Sequence, residues 1–271
     1  METPKLKNIV LIILTVTNLC LLIFVAQSEW KGIYLRWQAR TEAIHFLEQK
    51  EVELDESLIP REVALGPVKA ERGLEWEEEL AVQLLDGPVE MESRGAGVYR
   101  YQNEQGFVQF HSDGAFQAEF TPGAFPLGDN REQDCLDLLA RIAFEGRLVD
   151  ETEGQWVFCQ LWQGYPLFSC QVTVEEEDDC VVALTAGRRL VGKPTEDNSR
   201  QTITVPTALI QLYNGINGLG DVCSRIDAIE TGYVTGSALS SVMAGTPVWR
   251  VTTDTGLYQL DLITGSLTRI S

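Results

Sequence analysis

The run IVLIILTVTNLCLLIFVA, residues Ile9–Ala26, carries no charge and divides the chain into two unequal parts. At about 1.5 Å per residue a helix of this length covers roughly 27 Å, close to the ~30 Å hydrocarbon core of a bilayer. The run therefore predicts a single transmembrane helix. Lys5 and Lys7 precede it and predict a cytoplasmic N-terminus, with everything beyond the run outside the cytoplasm. Trp30, Tyr34 and Trp37, with Lys31 and Arg36 among them, fall where an interfacial belt is expected. Ala26-Gln27-Ser28 would suit a signal peptidase, but the apolar run exceeds the usual ~7–15 residues of a signal sequence, which favours a retained anchor.

Thr15, Thr17 and Asn18 interrupt the run with polar side chains. Thr15 and Asn18 are three apart, and Leu11 and Leu22 extend the same helical face. Lipid cannot satisfy an amide, so Leu11, Thr15, Asn18 and Leu22 form a candidate contact for a neighbouring helix.

The chain has 40 acidic and 21 basic residues. Without Glu2, Lys5 and Lys7, the part beyond the run keeps 39 acids and 19 bases, a balance of 39 − 19 = 20 negative charges. Phosphate binding needs the opposite balance, so nucleic acid is not an expected partner. Of six cysteines, Cys20 lies in the apolar run. Cys135, Cys159, Cys170, Cys180 and Cys223 lie beyond it, an odd number without CxxC spacing. With only His45 and His111 in the chain, a zinc site has few ligands to draw on. No metal or other cofactor is expected.

Beyond the run, Arg40–Lys50 reads as a short helix with Ala43, Ile44 and Leu47 on one face, and Glu75–Leu85 as a second. Val98–Tyr101, Gly106–Phe110 and Ala115–Phe120 read as a meander of strands. A helix over Glu132–Ala143 then precedes a hairpin, Trp156–Trp162 and Leu167–Val174, centred near Gly164. In that register Val157 faces Cys170 and Cys159 faces Phe168, which puts Cys135, Cys159 and Cys170 in one core. Cys159 and Cys170 are then diagonal neighbours, so a disulfide and buried free thiols are both open. The carboxylates Glu175–Asp179 lack the spaced ligands and glycine of a calcium loop and read as an exposed hairpin tip. Gly192–Ser199 reads as a linker. Val205–Tyr213 reads as a helix stopped by Asn214-Gly215, followed by strands over Ile226–Val234, Pro247–Thr252, Leu257–Leu262 and Ser266–Ile270.

The expected fold class is α+β: the anchor, then antiparallel sheets each packed by a helix, with two related helix-plus-sheet units. The boundaries are 1–28 for tip and anchor, 29–126 for a juxtamembrane helix and an α+β region, 127–200 for the first unit and 201–271 for the second.

Pro247-Val248-Trp249-Arg250-Val251, then Tyr258, Asp261 and Thr264-Gly265, resemble the closing hairpins of PepSY-type modules and of the YycI/YycH regulators. Lys7, the aliphatic run, Asn18-Leu19 and Leu21-Leu22 are similar to the YycI membrane segment. That resemblance implies two PepSY-like repeats and a non-enzymatic accessory protein of a two-component system. Such a protein is held in the cell membrane by one helix, and it binds and modulates a WalK/YycG-type sensor histidine kinase, alongside a YycH-like paralogue. An anchored PepSY-type inhibitory module acting on an envelope enzyme or protease is the alternative. No HExxH, GxSxG, P-loop or dinucleotide fingerprint occurs in the chain.

The isolated histidines and unpaired cysteine spacing predict a fold that needs no metal. Thermal melting with and without a chelator should agree within error, and a fall of many degrees on chelation would contradict this.

Overall fold

The computed structural model describes residues 3–63, 65–236 and 241–270. Within the first helix, side chains are described for residues 13–22, 35 and 37–49. That helix, α1 (Thr3–Gln49), is continuous. The apolar run and the helix expected at Arg40–Lys50 are parts of this one helix, which no proline or glycine pair interrupts. Its C-terminal end is built into the body: Ala43, Ile44 and Leu47 are buried.

The body follows in chain order. After β1 (Glu53–Leu54) and β2 (Val68–Glu71) come α2 (Leu74–Leu84) and a meander of β3 (Glu90–Gly95), β4 (Val98–Asn103), β5 (Gly106–Phe110) and β6 (Ala115–Phe120). Helix α3 (Arg131–Ala140) leads into β7 (Gly146–Thr152), β8 (Gln155–Trp162), β9 (Tyr165–Glu177) and β10 (Cys180–Arg188). After β11 (Pro194–Glu196), α4 (Val205–Gly218) leads into β12 (Arg225–Thr235), β13 (Val242–Thr253), β14 (Gly256–Asp261) and β15 (Leu267–Arg269). A helix followed by a four-stranded meander thus occurs three times.

The meanders are not separate sheets. Strand β6 pairs antiparallel with β10, and β9 pairs parallel with β12 at Leu167 and Tyr233, so all 15 strands form one mixed sheet. This overturns the expected fold class of independent antiparallel sheets in two repeats. The physical reason is that a meander leaves two unpaired edges, and neighbouring units satisfy each other's backbone groups. The transmembrane element of that fold class is also corrected. Among the described residues no helix is long and apolar enough to cross a membrane. Residues 9–12 and 23–26 of the run lie outside the described side chains, and 13–22 alone amount to ~15 Å, about half a hydrocarbon core.

Helices α2 and α3 share one core with their meanders, in which Leu84, Leu139, Tyr101, Phe110, Phe158 and Val174 are buried. Helices α4 and α1 share a second over β12–β14, with Leu47, Leu209, Leu212, Trp249 and Tyr258. A third, smaller core joins them and contains Val68, Leu167, Cys170, Tyr233 and Met243.

Local geometry explains the remaining departures. The β8–β9 turn is Gln163-Gly164, both with positive φ, and Trp162 pairs with Tyr165 as the expected register requires. Beyond Leu161 the register slips: Phe158 pairs with Val172 and Cys159 with Gln171, because β9 accommodates extra residues between Pro166 and Gln171. Cys135 and Cys170 therefore occupy different cores, and all cysteines are free thiols. Helix α4 continues through Asn214-Gly215 to Gly218. A Cβ at Gly215 would lie 2.6 Å from that of Leu267, so this glycine admits β15 close to the helix instead of stopping it. Part of the expected linker forms β11, paired with β2.

The buried end of α1 makes it part of the folded body. Leu47→Ala should cost roughly 2–5 kcal/mol in urea unfolding, whereas Ile13→Ala, on a side chain that is 60% exposed, should leave the midpoint unchanged.

Candidate functional site

Leu11 lies outside the described side chains, and Thr15, Asn18 and Leu22 are exposed on α1. Ile13, Leu14, Val16, Leu19, Leu21 and Leu22 are all more than half exposed. At about 100° per residue they surround the helix on every side. Thr17 returns its hydroxyl to the carbonyl of Ile13, 2.8 Å away.

The other sequence candidates are dispersed. His45 interacts with Glu48 and Gln49 on the exposed side of α1, and His111 with Gln109. The acidic run is the end of β9 and its turn. Glu175 accepts from Thr185, Glu176 from Trp156, and Arg131 pairs with both Glu176 and Asp179. Among the described residues no group of three or more His, Cys, Asp or Glu converges as a metal site. Burial pushes the thiols of Cys135, Cys170 and Cys223 up to about 11, which keeps them protonated and unreactive at neutral pH.

Two arrangements bring together residues from separate strands and helices. The first is a buried charge cluster where β2 meets α2. Arg72 holds Glu77 in a bidentate pair at 2.7 and 2.8 Å and donates to the Gly97 carbonyl at 2.6 Å. The Arg72 and Glu77 side chains are 7% and 1% exposed. The guanidinium of Arg189, which immediately follows β10, lies 4.8 Å from the ring centroids of both Trp76 and Phe110. Burial lowers its pKa to about 10, opposed by the attraction of Glu77, so it stays charged at neutral pH. Nearby, burial and the Glu77 charge raise the Tyr101 phenol to about 12.

The second arrangement occurs twice, on the sheet face opposite the helices. Val98–Phe110 and Val248–Leu260 align without a gap and share Val, Arg, Gly and Gln at corresponding positions. In the first copy, Arg100 stands between Glu92 and Gln109 across β3, β4 and β5. In the second, Arg250 stands between Glu230 and Gln259 across β12, β13 and β14. Neighbouring Tyr101 and Val251 point into the helix-covered cores, so by strand alternation the arginines point away. Each guanidinium lies over a phenylalanine, Arg100 over Phe107 at 3.6 Å and Arg250 over Phe168 at 4.0 Å. In both rows a further arginine takes the glutamate: Arg94 with Glu92 at 2.9 Å, and Arg147 with Glu230 at 2.8 Å. Among the described residues the buried Nε of Arg100 and of Arg250 has no hydrogen-bond partner. A guanidinium set over an aromatic ring in this way combines charge with a planar array of donors on the open sheet face. The recurrence of Val-aromatic-Arg, then Gly, then Gln was the signal available in the sequence.

No family model and no curated protein matches the chain. Among solved structures it is similar to an uncharacterized protein from Eubacterium rectale ATCC 33656, with 14% identity and a TM-score of 0.42 over 78% of this chain and 87% of that one. A likeness at that level assigns neither family nor activity.

Glu77 is the buried carboxylate held by Arg72, and its charge also reaches Arg189. Glu77→Gln should therefore lower stability by roughly 3–5 kcal/mol in urea titrations. Replacing Arg72 and Glu77 together by apolar residues should recover part of that loss, and an additive double mutant would contradict the pairing.

Proposed function

We propose that this chain is an extracytoplasmic regulator, held at the cell membrane through the apolar part of α1, that binds a sensor histidine kinase of a two-component system and modulates its activity. The observation that carries the reading is the continuity of α1. One helix leads from exposed apolar side chains at Ile13–Leu22 to Ala43, Ile44 and Leu47, which are buried beside α4. At ~1.5 Å per residue its 47 residues extend roughly 70 Å. A change at the far end therefore reaches the sheet without a flexible linker. Apolar side chains on all sides suit lipid, and Asn18 among them suits a hydrogen bond to another helix. The resemblance of Asn18-Leu19 and of the closing hairpin to YycI-type regulators supports the kinase as that partner. In this role the chain performs no chemistry. Its sheet body supplies a binding surface, and α1 couples that surface to the kinase.

Membrane attachment is tested by fractionation. The chain should remain with membranes after alkaline washing, and its body should be digested by protease added outside. Mature protein free in the medium, beginning near Glu29, would refute the attachment.

The kinase contact is tested by crosslinking in native membranes, followed by co-purification at matched expression. Asn18→Leu should weaken capture of the kinase roughly three-fold to thirty-fold, the range expected for one interhelical hydrogen bond. Ile13→Leu should have little effect. Equal capture by wild type and Asn18→Leu would place the contact on the sheet body, and capture of a wall enzyme or protease in place of a kinase would favour an inhibitory module.

A further inference from the structure

The two Glu-Arg-Gln rows differ in what lies beyond their glutamate. In the second copy, the glutamate strand β12 is covered along its outer edge by parallel strands from elsewhere in the chain. Glu53 and Leu54 of β1 pair at its start, and Leu167 of β9 pairs near its end. Its Glu230 takes Arg147, which belongs to the preceding unit. In the first copy the corresponding strand is β3, with Met91, Glu92 and Ser93 in the places of Ile229, Glu230 and Thr231. Every residue of β3 is exposed, and among the described residues no strand pairs with its outer edge. Glu92 there takes only Arg94, two residues along its own strand, in a pair whose side chains are about half exposed. The molecule thus displays on one of its own edges what the equivalent edge lacks.

We propose that the outer edge of β3 is a docking site for an extended segment of a partner protein, added as a further strand with an arginine or lysine set against Glu92. Strand addition supplies main-chain hydrogen bonds for affinity, and side chains at alternate positions supply the selectivity. A cationic segment complements both Glu90 and Glu92, which share one face, and a chain whose net charge is −19. The incoming guanidinium or ammonium displaces Arg94 and reproduces the Arg147–Glu230 pair of the other copy. A concavity of about 670 Å³ opens on this part of the sheet beside Glu90, Arg100, Gln102 and Phe107 and leaves room for neighbouring side chains of the segment. The site is remote in sequence from α1 and does not depend on the identity of the kinase.

The probe is a short blocked peptide alternating threonine and valine with one central arginine, compared with the same peptide carrying a central glutamate. Fluorescence anisotropy of each labelled peptide is measured against the full chain in detergent. Wild type should bind the arginine peptide roughly three-fold to ten-fold more tightly, as expected for exchanging an opposite for a like cross-strand charge. Glu92→Lys should reverse the preference, and its melting curve, for a half-exposed side chain, should match wild type. A photo-crosslinker beside the central arginine should label residues 90–95. Equal binding of the two peptides, no binding, an unchanged preference in Glu92→Lys, or labelling elsewhere would each overturn the proposal. So would a dimer of the chain alone that Glu92→Lys dissociates, since that assigns the edge to a second copy.

Discussion

Backbone pairing along β9 holds the body together. The C-terminal half of the strand pairs with β8 on one side and β10 on the other, while Leu167 near its start pairs with Tyr233 of β12. One strand thereby joins the first two meanders to the third. The irregularity between Pro166 and Gln171 is what lets β9 change neighbours. The small core of Val68, Leu167, Cys170, Tyr233 and Met243 forms at that change. Glycine admits the close approaches around it. A Cβ at Gly114, where φ is +86, would come 2.5 Å from the Met243 methyl, and one at Gly232 would lie 2.5 Å from the Pro166 carbonyl oxygen.

Charge is distributed with the same economy of position. A chain this acidic places several of its arginines in or against the sheet and lets aromatic rings cover them: Arg189 near Trp76 and Phe110, Arg100 over Phe107, Arg250 over Phe168. Weak hydration makes a guanidinium tolerable in such places where an ammonium would not be. Arg72 and Glu77 tie the β2–α2 connection to the Gly97 turn, so the strand that pairs with β13 also positions the helix over β4 and β5. This ties the α1-bearing part of the body to the meander that ends in β3.

The amino-acid sequence by itself determined the elements whose periodicity is local. The faces of α2 and α3, the strands β4 to β6 and the Gln163-Gly164 turn all follow from spacing and turn chemistry within a few residues. It also determined the uncharged, mainly apolar character of Ile9–Ala26 and the net negative charge. What only the tertiary structure decided is every feature that depends on distant segments. Strand β3 has neither face buried, and β7 is mostly exposed in the same way, so alternation marks neither. Gly215 reads as a helix stop because its packing partner, Leu267, is distant in sequence. The pairing of β9 with β12, the single connected sheet and the convergence of Arg72, Glu77 and Arg189 arise because unpaired edges and buried charges must find partners, and sequence spacing does not say where those partners are.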